Sequence, residues 1–248
     1  GLKLPKSALG LDVWGRDIPE LAHAHGDIDG YCHVVDGSLR PLLTERGIDQ
    51  APVLITMSDD QGNPFMGDPR QVLQSLADRF EEKSLRPCMA VELEFSLLPR
   101  PSDDQPIGQA LTQTSSVGGN LYALSELDYH APLLESLRKA FRTQDLPYEG
   151  IIKESAPSQY EINMAHSDDA MALADQIIRM QRTIRAVAAR HGFVATFMPK
   201  PIHDEAGNGM HVHCSLLAEN GVNVFDDGGD EGNDLLKYAI AGCLKLLP

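Results

Sequence analysis

Three short stretches of this chain set oxygen and nitrogen donors at the spacing of a β-strand. In Val91-Glu92-Leu93-Glu94-Phe95 the two glutamates lie two residues apart. On a strand they share one face, roughly 6–7 Å from each other, while Leu93 and Phe95 turn to the opposite face. Glu154-Ser-Ala-Pro-Ser-Gln-Tyr-Glu161 reads as two short strands around a Pro157-Ser158 turn. Closed as a hairpin, it sets Glu154 opposite Glu161, with Cβ atoms about 4.5–5.5 Å apart. Carboxylates so opposed repel unless a cation lies between them. Pro157 excludes positive φ at its own position, so the turn must be looser and its register stays open. In Gly207-Asn-Gly209-Met-His211-Val-His213-Cys-Ser215, His211, His213 and Ser215 fall on one strand face. The glycines before them allow close backbone approach to a ligand.

Each stretch also has a plain reading: a solvated sheet edge, an exposed turn with unrelated glutamates, and a His-x-His pair that by itself carries little weight. Taken together, four glutamates and one or two histidines without thiolates form an oxygen-rich donor set. Such a set favours Mg²⁺ or Mn²⁺ over structural zinc. Ions of this kind clamp nucleotide phosphates during phosphoryl transfer. The chain has no G-x-x-x-x-G-K-[ST] and no G-x-G-x-x-G, so a bound nucleotide is held by neither a Walker loop nor a Rossmann turn.

The elements that must position these donors are legible from period and punctuation. Residues 1–67 carry only short apolar runs, Tyr31–Val35 and Val53–Met57, between Gly, Pro and Asp turns, which predicts a small β-rich region. Asp68-Pro69-Arg70 opens a helix, with Asp68 as N-cap, Pro69 at the first position, and Val72, Leu73, Leu76 and Phe80 at helical spacing. Cys88 to Leu98 alternates as a strand, with Met89, Val91, Leu93, Phe95 and Leu97 on one face. Residues 99–120 read as a loop and 131–145 as a helix. Ile151-Ile152, Tyr160–Ile162, Ala195–Met198 and Met210–Leu217 read as strands. The clearest helix runs from Asp168 to His191, capped by Ser167 or Asp168, with Ile177, Ile184 and Val187 in its buried stripe and Gly192 ending it. A last helix begins at Asp234. Trp14 and the methionines read as packing, His191 as a helix-end residue and His203 as solvated.

The 248 residues carry 21 Lys+Arg against 36 Asp+Glu, a formal charge of −15. That balance argues against sequence-independent nucleic-acid binding and a polybasic membrane surface, and it is compatible with a cationic ligand. No stretch approaches the ~20 apolar residues of a membrane span, and Gly1–Gly10 has no apolar signal-peptide core. Cys32, Cys88, Cys214 and Cys243 show no short spacing, which predicts four reduced cysteines in a cytoplasmic protein.

The motifs Glu92-Leu-Glu94-Phe, Glu154-Ser-Ala-Pro-Ser-Gln-Tyr-Glu161-Ile-Asn, Ala195-Thr-Phe-Met-Pro-Lys-Pro201 and Gly209-Met-His-Val-His213-Cys-Ser215 resemble the glutamine synthetase family in order and spacing. The match covers about residues 86–217. Leu9-Gly-Leu-Asp-Val-Trp-Gly15 and the Asp68-Pro-Arg70 opening resemble one branch, the γ-glutamylpolyamine synthetases. The resemblance implies an α+β fold: a partial β-grasp-like domain over 1–67, then a catalytic domain over 68–248 with a curved antiparallel sheet backed by helices. It also implies a reaction in which ATP phosphorylates the γ-carboxylate of glutamate and an amine displaces the phosphate. Dodecamers of two stacked hexameric rings, with active sites between subunits, follow from the same likeness.

Carried over by position, Glu94, Glu154 and Glu161 resemble ligands of a first metal, and Glu92 and His211 ligands of a second. Glu149, His213 and Ser215 match nucleotide-contacting positions, and Gly207 a backbone contact to glutamate. Asp29 matches the aspartate a neighbouring subunit lends to the amine site, with Asp27 as competitor, and Glu154 borders the same site. The chain departs from the pattern in carrying Ala206 where an Asn is common. On the same comparison it begins inside or near the N-terminal domain and stops before an arginine-rich C-terminal half. The leading reading is therefore an ATP-dependent ligase joining glutamate to an amine, a polyamine such as putrescine before ammonia. A catalytically silent scaffold and an unrelated His-x-His metallohydrolase are the readings from other classes.

Overall fold

The computed structural model describes residues 1–22, 28–44, 47–100 and 121–247. Asp27 and the 101–120 part of the expected loop lie outside the described residues. The strands are, in chain order, β1 (Leu2–Pro5), β2 (Asp29–Val34), β3 (Leu42–Thr44), β4 (Gly47–Gln50), β5 (Ile55–Ser58), β6 (Leu85–Pro99), β7 (Tyr148–Lys153), β8 (Gln159–Met164), β9 (Phe193–Thr196) and β10 (Met210–Ala218). The helices are α1 (Pro19–Ala22), α2 (Pro69–Glu81), α3 (Leu124–Tyr129), α4 (Ala131–Thr143), α5 (Ala170–Arg190) and α6 (Asp234–Leu246). They form two compact units, Gly1–Arg40 with Ala51–Ser84, and Pro41–Gln50 with Leu85–Pro248.

In the first unit β1, β2 and β5 make an antiparallel sheet in that order. Asp68 caps α2 as its sequence position predicts: Oδ1 accepts from the Arg70 amide at 3.0 Å. Its Oδ2 accepts from the Met57 amide at 2.9 Å and the Thr56 hydroxyl at 2.7 Å, so one carboxylate starts the helix and ties it to β5. Trp14 is not the packing residue its apolar ring predicts. It is 76% exposed, and its ring instead lies 4.6 Å from the guanidinium of Arg16, which Asp12 holds at 2.7 Å. The Asp12 side chain also accepts from the Trp14 and Arg16 amides, closing a tight local turn that leaves the indole no core to enter.

The second unit is built on an antiparallel sheet in the order β10-β6-β8-β7, with β9 joining β6 beyond the end of β10. The pleat separates two faces. Val91, Leu93, Phe95 and Leu97 of β6, and Tyr160, Ile162 and Met164 of β8, are buried against Leu133, Leu137 and Phe141 of α4 and Met180, Ile184 and Val187 of α5. Each such side chain contributes about 1.5–3 kcal/mol by leaving water, so the helix-backed face holds the sheet and frees the other for polar residues. α5 is capped by Asp169, whose carboxylate accepts from the Ala172 amide at 2.8 Å, and not by Ser167 or Asp168. The Ser167 backbone is committed to a bridge with Met89, and Asp168 turns to Arg86 at 2.5 Å.

Candidate active site on the open face of the sheet

Register decides which side chains meet. Glu94 lies opposite Glu161, Glu92 opposite Asn163, and His211 opposite Glu92. Opposed residues share a face, so Glu92, Glu94, Glu161, Asn163, His211, His213 and Ser215 all belong to the side away from α4 and α5. The hairpin carrying Glu154 closes two residues tighter than Glu154-opposite-Glu161. Ile152 is Glu161's partner, and the Glu154 amide donates to the Gln159 carbonyl at 2.9 Å. A shift of two keeps the face where a shift of one would reverse it. The tight turn does use a left-handed residue: Ser158, at φ 53°, takes the conformation that Pro157 cannot.

Three donors gather most closely. One ligand atom each from Glu92, Glu161 and His211 lies within 4.8 Å of the others. His211 Nδ1 is 2.9 Å from Glu92 Oε2 and His213 Nε2 is 3.0 Å from Glu92 Oε1. These contacts, His211 foremost, hold the Glu92 carboxyl below the usual range, and the same contact raises the His211 imidazole. Glu161 is buried, and burial pushes its carboxyl up. Asn163, whose Nδ2 donates to Glu161 Oε1 at 3.0 Å, opposes that shift, while Glu92, Glu154 and Glu94 add to it. The cluster thus sets the buried Glu161 carboxyl beside other carboxylates, a condition a cation relieves.

Glu94 is fixed more firmly. Its Oε2 accepts from Gln159 Nε2 at 3.0 Å and from the Gly209 amide at 2.9 Å. A Cβ on Gly209 would stand 3.3 Å from Glu94 Oε1 and 3.3 Å from His211 Nε2. That open wedge between a carboxylate oxygen and an imidazole nitrogen, beside the Glu92–Glu161–His211 group, fits a hard divalent ion with oxygen and nitrogen ligands. Gly207 is held to glycine for a different reason: a Cβ there would lie 2.2 Å from the Pro199 carbonyl oxygen. Gln159 Nε2 also donates to the Gly207 carbonyl at 2.8 Å and to Asn208 Oδ1 at 3.1 Å.

Further along the same face a cavity of about 590 Å³ is lined by Cys88, Ala90, His166, His213, Cys214 and Ser215 among others. Glu154 is half-buried just past the end of β7. Glu149 is exposed at a bulge, since Tyr148 faces Met164 and Gly150 faces Asn163. Asp29, exposed, opens β2 in the first unit, opposite Pro5. Gln159, Asn163 and Asn208 were not among the residues the sequence singled out. Residues 159 and 163 stand two positions either side of Glu161, so the period of the strand carried that signal. Asn208 sits one residue before the glycine that touches Glu94 and has no comparable mark.

Comparison with known proteins shows the family of the chain. The family model for the glutamine synthetase catalytic domain matches residues 66–248. The chain is 35% identical to the gamma-glutamylputrescine synthetase PuuA of Escherichia coli, covering 100% of this chain and 54% of that protein. It is 36% identical to a glutamine synthetase of Halobacterium salinarum over 74% of this chain and 39% of that one. Among solved structures, apo GmaS superposes with a TM-score of 0.78 at 25% identity over 98% of this chain and 53% of its own. A Plasmodium falciparum glutamine synthetase gives 0.79 at 18% identity, covering 99% and 50% of the two chains, a likeness of fold. The chain spans about half the length of the curated relatives it matches.

Proposed function

The chain belongs to the glutamine synthetase family, and from that premise we propose that the whole protein is an ATP-dependent carbon–nitrogen ligase joining the γ-carboxylate of glutamate to an amine through a γ-glutamyl phosphate. The observation that carries this reading is the gathering of Glu92, Glu161 and His211 within 4.8 Å on the face that also bears Glu94. Glu94, Glu154 and Glu161 would hold one Mg²⁺ or Mn²⁺, and Glu92 and His211 a second. Such ions, when bound, neutralise the phosphate charge that builds during phosphoryl transfer.

The chain's own residues divide the remaining work. Glu92, clamped by His211 and His213, presents a fixed carboxylate. Gln159 and the Gly209 amide occupy one oxygen of Glu94 and leave the other toward the wedge. The Gly207 backbone, pressed against Pro199, would receive glutamate. His213 and Ser215, on the cavity wall, and Glu149 would contact the nucleotide. An amine attacks only when neutral, so the acceptor side needs a base and a holder for the distal ammonium of a diamine. Carboxylates serve both purposes, and we assign them to Glu154 and to Asp29 of a neighbouring subunit in a double-ringed assembly.

For the amine we favour a polyamine such as putrescine. The likeness to the putrescine enzyme runs along the whole chain, whereas the halobacterial glutamine synthetase matches 74% of it at similar identity. The start of the family match at residue 66 supports a domain division near 67/68. Cys32, Cys88, Cys214 and Cys243 are all free, which suits a reducing compartment, and we place the protein in the cytoplasm. Among the described residues no helix is long and apolar enough to cross a membrane. ADP release by the full-length protein, with glutamate, ATP and a panel of amines, tests the assignment. Putrescine or a related amine should give a higher kcat/KM than ammonia; equal or better turnover of ammonia makes the protein a glutamine synthetase instead.

A further inference from the structure

The helix-backed side of the sheet holds a charged pair that none of the ligand roles uses. Lys153, the last residue of β7, is 1% exposed, and Glu126 of α3 is 4% exposed. Lysine is almost never fully buried without a partner. Here Nζ lies 3.5 Å from Glu126 Oε2. Nζ also donates to the main-chain carbonyls of Glu154 and, at 2.8 Å, Ala156. Glu126 Oε2 accepts from the Ser158 amide at 2.7 Å. Both ends of the pair therefore grip one object, the 154–158 turn. The pair is a poor source of stability in its own right. Taking two charges out of water is costly, and Glu126 Oε1 is left without a hydrogen bond.

The turn they grip is itself strained. Ser158 adopts φ 53°, which costs a residue with a side chain about 1–2 kcal/mol. It is also fastened from within, where the Ala156 amide donates to Gln159 Oε1 at 3.0 Å, and from β6, where the Leu97 amide donates to the Ser158 carbonyl at 2.9 Å. The turn ends in Gln159, on the site face, whose Nε2 holds Glu94 Oε2, the Gly207 carbonyl and Asn208 Oδ1. We propose that Lys153 and Glu126 are positioning residues. From behind the sheet they fix the 154–159 turn, and through it both the Glu154 carboxylate and the grip of Gln159 on Glu94 and Gly207. The inference rests on the reading of Glu94 and Glu154 as metal ligands.

Titration of the full-length protein with Mn²⁺, alongside thermal melting, tests it. Lys153→Met alone leaves Glu126 as a buried unpaired charge and should melt far below the parent. Lys153→Met with Glu126→Gln removes both charges, while the glutamine can still accept from Ser158. Its melting temperature should return toward the parent, but Mn²⁺ should bind about 10–100-fold more weakly, the usual cost of losing support behind a ligand. If the double variant does not fold, both changes go into a Ser158→Gly background, which relieves the left-handed strain without replacing the lysine's donors. A folded variant lacking the pair that binds Mn²⁺ within about threefold of the parent overturns the proposal, as does affinity that recovers in step with the melting temperature. If the parent itself binds no Mn²⁺, or Glu161→Gln leaves its affinity unchanged, the ligand reading is what has failed.

Discussion

Placing a methyl group on Gly209 is the sharpest single probe of the site. Its φ lies outside the left-handed region, so alanine needs no backbone change. Its amide and carbonyl are already committed to Glu94, at 2.9 and 3.1 Å. The new Cβ would stand 3.3 Å from Glu94 Oε1 and from His211 Nε2, closer than such contacts normally come, so both groups must retreat by a few tenths of an ångström. Metal sites hold their ligand distances to about 0.2 Å, so a shift of that size would be felt by a bound ion although the fold tolerates it. Losses of 10–100-fold in affinity accompany displaced support of this kind, or about 1.4–2.8 kcal/mol. Calorimetric titration of full-length Gly209→Ala with Mn²⁺ should show a loss in that range with an almost unchanged melting temperature. Gly150→Ala is the matched control, because a Cβ at Gly150, on β7 of the same sheet, meets nothing within 4 Å. A folded Gly209→Ala variant with parental affinity would mean that neither Glu94 nor His211 holds an ion beside Gly209.

Other expectations can be checked with the same material. Glu161→Gln should weaken Mn²⁺ binding, and binding to the parent in mildly acidic buffer should release a proton, read from the dependence of the calorimetric heat on buffer ionisation; no proton release would contradict the raised Glu161 carboxyl. Because that carboxyl is raised in the folded state, its contribution is lost as pH rises through its folded range, so metal-free Glu161→Gln should gain stability relative to the parent as pH increases. His130 is lowered to about 4 by burial, so the unfolded chain takes up its proton first as pH falls from 6.5. Denaturant unfolding should therefore show stability falling between pH 6.5 and 4 by about 3 kcal/mol from this group, and His130→Phe should flatten that slope. Asp29→Asn in the full-length protein should raise KM for putrescine while leaving ATP binding intact; a parallel loss of ATP affinity would remove Asp29 from the amine side.

What could be read before the structure was what repeats with a fixed period. The alternation through Val91–Leu97 separates the polar face from the core face, and the same rule puts His211, His213 and Ser215 together. Pairing was harder, because hydrophobic pattern specifies which face a residue takes but tolerates a shift of two. A register with Glu154 opposite Glu161 is therefore only one of those the pattern allows, and Ile152 takes that place. Turn chemistry was half legible: Pro157 announced a turn, while Ser158, at positive φ, donates its amide to a buried carboxylate that arrives from α3. The N-cap of α5 shifted by one or two residues because the main chain of Ser167 and the side chain of Asp168 were engaged elsewhere. Long-range groups such as Glu126 carry no local mark at all. Trp14 departs from the packing its apolar ring predicts because its neighbours Asp12 and Arg16 bind each other and close the turn on the spot.

The division of one sheet into a wet face and a dry face also limits how this gene can change length. Between Val91 and Leu97 every step along β6 exchanges a polar duty for an apolar one, and β10 and β8 are aligned to that count over Met210–Ala218 and Gln159–Asn163. Losing or gaining a single codon there would drive Glu92 and Glu94 under the helices and turn Leu93 and Phe95 outward in one event, an error no single neighbouring substitution could repair. Descendants of this protein should therefore vary in length within the loops that join these strands, while the strands themselves change letter by letter.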